Sequence, residues 1–376
     1  MARIRRVLTV VGTRPNLMKT APVARLLPAA GIEHVLVHTG QHYDRAMSQV
    51  FLEELGLGDP DHDLAVGSGS HAVQTARVME RLEPVLAAEA PDLVLVPGDV
   101  NSTMAAALVA VKLQIPVGHV EAGLRSGDWA MPEEVNRVVT DAVASLLFTH
   151  SPEAREHLVA EGRDEGAIHA VGNTMIDTLV AMRPAIERAA VPERLGLPRG
   201  GYVVVTLHRP ALVDGPLLME TMAALAELAG ELPVVFPAHP RTLARIEAAG
   251  AAPQGVRVLE PMGYVDFLGL GAGAAGALTD SGGIQEETTY LGEPCYTLRD
   301  NTERPVTVEL GTNTLLGLRP DRIAEVPGLI EAARGAPASV PEGWDGHAAE
   351  RLVEVLAGVE LSALDRRPSP ARSFAR

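Results

Sequence analysis

Short apolar runs alternate along this chain with longer segments whose apolar residues recur at helical spacing. In the first half, apolar runs that suit buried strands occupy residues 7–11, 34–38, 93–97 and 116–120. Helical patterns follow at 21–30, 44–55 and 72–89, and another helix opens after 98–103. Repeated alternation of this kind is typical of an α/β protein with a parallel sheet.

The second half repeats the alternation. Strand-like runs lie at 202–206, 233–237 and 277–279, with helices at 284–291 and from Arg319 onward. A chain of 376 residues is longer than one typical domain. We therefore predict two Rossmann-like domains, 1–172 and 173–365, with a C-terminal helix that packs back on the first. The tail 366–376 is rich in Arg, Pro and Ser, and we expect it to be disordered.

Composition narrows the class of partner. Lys+Arg 32 against Asp+Glu 48 gives a net charge of −16 and a pI near 5.2. This balance argues against nucleic acid or an anionic membrane as a partner. An anionic substrate would need a local cationic pocket.

No stretch is long and apolar enough to span a bilayer, and the apolar run after Arg3–Arg6 is too short for a signal peptide. We expect a cytoplasmic protein. The single cysteine, Cys295, excludes an internal disulfide, and its apolar surroundings predict a buried, inert thiol.

Polar residues follow several predicted strands of the first half. Asp99 and Glu121 stand at strand ends, and Arg14 and Lys19 follow the first strand. Ligands bind at this edge of doubly wound sheets. Taken singly, the two carboxylates fit helix caps or loop positions better than catalysis.

The segment Asp280–Glu287 reads Asp-Ser-Gly-Gly-Ile-Gln-Glu-Glu and joins a predicted strand to a helix. Its glycines let the backbone approach a ligand, and the amides of a helix start attract phosphate. Glu287 lies one turn inside, within reach of a ribose hydroxyl, and Arg304 suits a diphosphate. The alternative is an ordinary Ser-Gly-Gly turn that caps a helix.

Two glycine patterns imitate a dinucleotide fingerprint. Gly271–Gly276 matches G-x-G-x-x-G, but it follows a predicted helix and precedes a strand, the reverse of the required order. Gly67–Ala72 lies in a polar loop. The histidines show no metal-binding spacing. We therefore expect neither a nicotinamide cofactor nor a metal.

An ordered set of motifs lies within residues 7–317. The set comprises 12–15 (GTRP), 39–42 (TGQH), 98–99 (GD), 118–125 (GHVEAGLR), 132–137 (PEEVNR), 172–174 (GNT), 206–210 (TLHRP), 280–287 and 299–305 (RDNTERP). Taken together, these motifs closely resemble the non-hydrolysing UDP-N-acetylglucosamine 2-epimerases. The resemblance implies a GT-B fold, in which two Rossmann-like domains face each other across a cleft. It also implies a homodimer that needs no cofactor or metal and interconverts UDP-GlcNAc and UDP-ManNAc.

The same resemblance implies roles for individual positions. The family's catalytic residues correspond to Asp99, Glu121, Glu133 and His208. Its UDP contacts correspond to Arg14, Lys19, Phe267, Ser281, Gly282, Gly283, Glu287 and Arg304.

The resemblance implies elimination of UDP to a 2-acetamidoglucal, followed by re-addition. Carbon 2 of the sugar is not next to a carbonyl, so its hydrogen becomes acidic only as UDP departs. Three alternatives remain open: a hydrolysing relative that releases ManNAc and UDP, a GT-B glycosyltransferase, and a catalytically silent sugar-nucleotide sensor.

Residues 210–212 depart from the family pattern. Ala211 and Leu212 stand where Glu-Asn is common, and Pro210 stands where many bacterial members have an arginine of an allosteric UDP-GlcNAc site. Asp44 also replaces a frequent glutamine. We therefore expect little or no activation by UDP-GlcNAc. Rates with UDP-ManNAc alone should follow a hyperbola without a lag, and strict dependence on added UDP-GlcNAc would contradict this expectation.

Overall fold

The computed structural model describes residues 3–40, 45–335 and 339–364 of the chain, with side chains from residue 49 in the second range. These residues form two compact units. Unit 1 comprises the chain up to Ala181 and again from Glu342, and unit 2 comprises Met182–Pro341. The division falls inside a helix, whereas the sequence predicts a crossing after residue 172. The predicted tail 366–376, Asp44 and residues 41–42 of the TGQH motif lie outside the described residues.

Unit 1 contains a seven-stranded parallel sheet in the order β3-β2-β1-β4-β5-β6-β7. Its strands are β1 (Arg6–Val11), β2 (Glu33–His38), β3 (His62–Asp63), β4 (Leu93–Pro97), β5 (Val117–Val120), β6 (Leu146–Thr149) and β7 (Ile168–Ala170). The helices that follow are α1 (Arg14–Leu26), α2 (Arg45–Glu54), α3 (His71–Glu89), α4 (Asn101–Lys112), α5 (Pro132–Val143), α6 (Pro152–Ala160) and α7 (Thr174–Ala189).

The sheet of unit 1 is buried on both faces, which explains its continuous apolar strands. Along β4, Val94 and Val96 pack into one core, and Leu93 and Leu95 pack into another. The predicted start of the first helix at residue 21 is wrong, because α1 begins at Arg14, directly after β1. Pro15 is compatible with the first turn of α1, since that turn needs no donor from the proline nitrogen.

Unit 2 contains a six-stranded parallel sheet in the order β10-β9-β8-β11-β12-β13. Its strands are β8 (Val203–Thr206), β9 (Val234–Pro237), β10 (Arg257–Leu259), β11 (Gly276–Thr279), β12 (Cys295–Thr297) and β13 (Asn313–Leu315). Its helices are α8 (Val191–Arg194), α9 (Pro210–Val213), α10 (Leu217–Ala229), α11 (Pro240–Ala248), α12 (Tyr264–Gly271), α13 (Gly282–Leu291), α14 (Val306–Glu309) and α15 (Val326–Ala333).

Both units thus have the doubly wound topology of a Rossmann-like domain, and the fold is of the GT-B type. The G-x-G-x-x-G pattern at Gly271–Gly276 indeed lies between the end of α12 and the start of β11. Cys295 is buried in β12, and burial raises the pKa of its thiol to about 11. No helix among the described residues could cross a bilayer.

The C-terminal segment belongs to unit 1 and contains α16 (Ala348–Gly358) and α17 (Leu361–Leu364). Asp177 of α7 accepts hydrogen bonds from the amides of Ala348 and Ala349, at 3.1 and 2.6 Å, and so caps α16. The indole of Trp344 is fully buried and donates to the main-chain oxygen of His150 at 2.8 Å. Apolar residues of α16, among them Leu352 and Leu356, complete a core of unit 1.

The close approach of the C-terminal segment to Gly172 gives a stability prediction. A Cβ at Gly172 would overlap the carbonyl oxygen of Gly343, and the φ of 93° is itself unfavourable for alanine. Gly172→Ala should therefore lower the free energy of unfolding by more than about 4 kcal/mol. Gly162→Ala is the matched control: its φ is 79° and its Cβ would meet nothing within 4 Å, so it should cost only about 1–2 kcal/mol. Equal shifts in thermal unfolding of the two variants would contradict this packing.

Candidate active site

In unit 1, two of the predicted catalytic carboxylates follow neighbouring strands. Asp99 comes after β4 and Glu121 comes directly after β5, and these two strands pair in parallel. Their carboxyl ends therefore meet at one edge of the sheet. The same edge holds the switch point between β1 and β4, where ligands bind in doubly wound folds.

Glu121 is held in an unusual backbone conformation beside a buried cation. Its φ is 72°, in the left-handed region that costs a non-glycine residue about 1 kcal/mol or more. The amides of Glu121 and Ala122 both donate to the main-chain oxygen of Phe148 at 3.0 Å, which fixes this turn. The carboxylate of Glu121 forms an ion pair with the ammonium group of Lys19, and both side chains are buried. A Cβ on Gly98 would lie 3.2 Å from that ammonium nitrogen, so the ion pair borders the turn that carries Asp99.

The other two predicted residues of unit 1 have different surroundings. Arg14 opens α1 and places its guanidinium 5.4 Å from the ring centre of Phe51. Glu133 lies in the first turn of α5 and is half-buried. The structure thus places Asp99, Glu121 and Lys19 close together. The carboxylate of Glu133 has no hydrogen bond or ion pair within the described ranges.

In unit 2, His208 follows β8 and Asp280 follows β11, the two strands at the switch point of that sheet. His208 is exposed, and its Nδ1 lies 2.8 Å from an oxygen of the fully buried Asp280. Asp280 also accepts hydrogen bonds from the amides of His208 and Arg209. Burial favours the neutral acid, but His208 and these amides lower the pKa of Asp280 below its ordinary value. An ionised Asp280 therefore orients the imidazole of His208.

Gly282 of the Asp280–Glu287 segment is needed for close contact with Arg304. A Cβ on Gly282 would lie 2.5 Å from Nη1 of Arg304. The guanidinium of Arg304 is buried and forms ion pairs with Glu286, at 2.9 Å, and with Glu303. Ser281 is the N-cap of α13, and within the described part of unit 2 its side chain makes no capping hydrogen bond. The start of α13 with its adjacent cation has the features of an anion site.

Phe267 and Glu287 line one pocket of unit 2. Its walls are mainly apolar and include Thr206 and Ile284. The hydroxyl of Tyr264 donates to Glu287 at 3.1 Å. Burial and the neighbouring charge of Glu286 raise the pKa of Glu287 to about 8, although the bond from Tyr264 opposes the shift. Phe267 and the buried Glu287 thus lie side by side around a small cavity of about 20 Å³ whose accessible lining is apolar.

The departure at residues 210–212 has a structural explanation. Pro210 opens the short helix α9, and the side chain of Leu212 is fully buried in the core of unit 2. Ala211 is exposed. Leu212 therefore stabilises the loop after His208 by packing and offers no polar contact to a ligand.

Sequence reasoning missed three residues that position the predicted ones. These are Asp280 for His208, Tyr264 for Glu287, and Arg137, whose Nη1 lies 2.5 Å from a carboxylate oxygen of Asp99. Asp280 was detectable as an acid at a strand end. The contacts of Tyr264 and Arg137 cross between separate elements, so no spacing in the chain reports them.

Comparisons with known proteins agree with this geometry. The sequence model of the family described as UDP-N-acetylglucosamine 2-epimerase matches residues 25–357. The chain is 40% identical to a UDP-N-acetylglucosamine 2-epimerase of Methanocaldococcus jannaschii over 92% of its own length and 97% of the relative. It is 38% identical to a UDP-2,3-diacetamido-2,3-dideoxy-D-glucuronate 2-epimerase of Pseudomonas aeruginosa, over 94% and 99% of the two chains.

A solved structure supports the same assignment. It is the crystal structure of the Methanocaldococcus jannaschii UDP-GlcNAc 2-epimerase in complex with UDP-GlcNAc and UDP, with 39% sequence identity and a TM-score of 0.85. The similarity covers 93% of this chain and 99% of that one. With a family match over most of its length and relatives near 40% identity, this chain belongs to the UDP-N-acetylglucosamine 2-epimerase family.

Proposed function

We propose that the protein interconverts UDP-GlcNAc and UDP-ManNAc without hydrolysis. The observation that carries the proposal is the division of chemistry between the two units. Unit 1 presents Asp99 and Glu121 at adjoining strand ends, and Glu121 is paired with a buried cation. Unit 2 presents the start of α13 beside Arg304 and the pocket of Phe267 and Glu287. The relative crystallised with UDP-GlcNAc and UDP supports a nucleotide sugar as the ligand.

We assign the UDP moiety mainly to unit 2. The ring of Phe267 would contact the uracil, and Glu287 would bind the ribose. The hydroxyl of Ser281, the amides of Gly282 and Gly283 and the guanidinium of Arg304 would bind the diphosphate, which accepts hydrogen bonds only. Arg14 and Lys19 of unit 1 would add positive charge. His208, oriented by Asp280, would donate to the departing phosphate oxygen.

We assign carbon 2 of the sugar to the carboxylates of unit 1. The bond between carbon 1 and the phosphate oxygen breaks, and its electron pair leaves with UDP. In UDP-GlcNAc the hydrogen on carbon 2 is antiperiplanar to that bond, so a carboxylate removes it as the 2-acetamidoglucal forms. UDP then adds back to carbon 1, and a second acid delivers a proton to the opposite face of carbon 2. Asp99, Glu121 and Glu133 are the groups available for the two transfers.

The active protein is proposed to be a homodimer, as the resemblance implies. Size-exclusion chromatography with light scattering measures this directly. An active monomer would contradict the proposed dimer but would not contradict the proposed reaction.

Incubation with UDP-GlcNAc in deuterated water tests the reaction. We expect UDP-GlcNAc and UDP-ManNAc that both carry deuterium at carbon 2, detected by mass spectrometry and NMR. Asp99→Asn should slow this incorporation by about 100-fold or more, because an amide cannot exchange the proton. Asp164→Asn is the matched control: this exposed aspartate accepts from the amide of Gly166 and should leave the rate unchanged.

Three results would point elsewhere. Accumulation of free ManNAc and UDP would identify the hydrolysing alternative. UDP binding without any deuterium uptake would favour a silent sugar-nucleotide sensor. Because the chain is 38% identical to a UDP-2,3-diacetamido-2,3-dideoxy-D-glucuronate 2-epimerase, that UDP-sugar is the second substrate to assay. A higher kcat/KM for it than for UDP-GlcNAc would replace the proposed substrate.

The buried carboxyl of Glu287 gives a pH prediction. Its pKa is about 8 in the folded protein against an ordinary value of 4.5, so the folded state holds a proton that the unfolded state has released. The stability that this group contributes is complete below pH 4.5 and is lost as pH rises through 8. Glu287→Gln should therefore reduce the decline of Tm with pH in the UDP-free protein. The exposed Glu247 supplies the control, Glu247→Gln, which should reproduce the wild-type profile. An unchanged slope in Glu287→Gln would contradict the buried, protonated state.

A further inference from the structure

One guanidinium joins two carboxylates in unit 1. The side chain of Arg137 on α5 is 1% exposed. Its Nη1 donates to Oδ2 of Asp99 at 2.5 Å, and its Nε and Nη2 donate to Oε2 of Glu134 at 3.1 and 2.7 Å. Arg137 therefore links helix α5 to the turn between β4 and α4. A planar fork that spans two carboxylates leaves the arginine little freedom to rotate.

Glu134 is anchored from the opposite side. Its carboxylate accepts hydrogen bonds from the amides of Ser126 and Gly127, both at 2.9 Å, and from the hydroxyl of Ser126 at 3.1 Å. Burial favours its neutral form, yet these bonds and Arg137 lower the pKa of Glu134 below its ordinary value. An ionised Glu134 that accepts five hydrogen bonds, two of them from Arg137, fixes the position of Arg137.

The main chain around Asp99 is also held on both sides. The amide group of Asn136 donates to the carbonyl oxygen of Asp99 at 2.8 Å. Nε2 of His119 lies 2.7 Å from the carbonyl oxygen of Gly98, and because a carbonyl only accepts, this nitrogen carries the hydrogen. With its backbone fixed, Asp99 keeps only the rotation of its side chain, and Arg137 restricts that rotation through Oδ2.

The second oxygen of Asp99 has a different environment. Within the described ranges, Oδ1 makes no hydrogen bond or ion pair, and the side chain is 22% exposed. Lys19 and Glu121, which lie beside the preceding Gly98, are paired with each other. One oxygen of Asp99 is thus held and the other is open.

We propose that Arg137, braced by Glu134, is a positioning residue that holds Oδ2 of Asp99 so that Oδ1 faces carbon 2 of the sugar. The inference rests on the proposed function, because it assigns Arg137 to the same proton transfer. Arg137 acts through Asp99 and makes no contact with substrate in this scheme. Helix α5 also carries Glu133. The ion pairs of Arg137 with Asp99 and Glu134, which we call the clamp, therefore join the turn of Asp99 to the helix that bears Glu133.

Steady-state kinetics of full-length variants test the positioning role. Arg137→Met should lower kcat for UDP-GlcNAc by about 100-fold, because a loosened catalytic group is misplaced by about an ångström. KM and the affinity for UDP should stay near wild type, since the nucleotide is assigned to unit 2. Arg137→Lys keeps the positive charge but lacks the planar guanidinium, so its kcat should lie between those of Arg137→Met and the wild type. Arg163→Met is the matched control: Arg163 donates to the main-chain oxygens of Ala142 and Ala144 at the far end of α5.

The decisive comparison uses the Asp99→Asn background. If Arg137 acts through Asp99, Arg137→Met should cause little further loss of kcat when Asp99 is already replaced. Full additivity, or an Arg163→Met variant that loses as much kcat as Arg137→Met, would overturn the proposal.

Thermal unfolding of the wild type, Asp99→Asn, Arg137→Met and the double variant supplies a readout that does not depend on the reaction. The Tm losses of Asp99→Asn and Arg137→Met should be non-additive, because the two side chains form one ion pair. A wild-type protein without epimerase activity would defeat the proposed function. Additive Tm losses would defeat the clamp itself.

Discussion

Burial of charge is the constraint on which the site depends. A carboxylate taken out of water must find a cation or several hydrogen-bond donors, or it loses its charge. Unit 1 meets this requirement by pairing Glu121 with Lys19, and Asp99 and Glu134 with Arg137. His119 and Arg125 stabilise Asp141 in the same way, and despite its burial they lower its pKa. Asp99 and Glu121, which we propose for proton transfer, are therefore paired within unit 1 itself.

Unit 2 uses the same constraint for a different purpose. Arg304 lies against Gly282 and between Glu286 and Glu303, so a fixed cation stands beside the first turn of α13. Burial and the neighbouring charge of Glu286 raise the pKa of Glu287, and the hydrogen bond from Tyr264 opposes this shift only in part. A diphosphate would meet positive charge that is already in place, whereas a ribose would meet a carboxyl group whose protonation depends on pH. Each unit thus holds a network of buried, paired charges of its own.

The sequence predicted the parts of this protein that depend on local pattern. Apolar runs such as 93–97 identified strands correctly because both faces of each sheet are covered. The order of helix and strand around the glycine pattern at 271–276 was predicted correctly because that order is local information. The short edge strands β3, β7, β10 and β13 were missed, since two or three residues carry no period, and the interior strands β6 and β12 were missed as well. The early start of α1 was missed because Pro15 reads as a breaker although it suits a first turn. Partners such as Asp280 for His208 and Arg137 for Asp99 depend on contacts 72 and 38 residues apart in the chain.

The central claim is that UDP leaves carbon 1 and returns while carbon 2 exchanges its proton. Positional isotope exchange tests it most directly, with UDP-GlcNAc that carries ¹⁸O in the bridge between carbon 1 and the β-phosphorus. If the bond breaks and UDP re-adds, the recovered UDP-GlcNAc should carry part of the label in non-bridging positions of the β-phosphate, as seen by ³¹P NMR. Deuterium uptake at carbon 2 with all of the ¹⁸O still in the bridge would contradict the account.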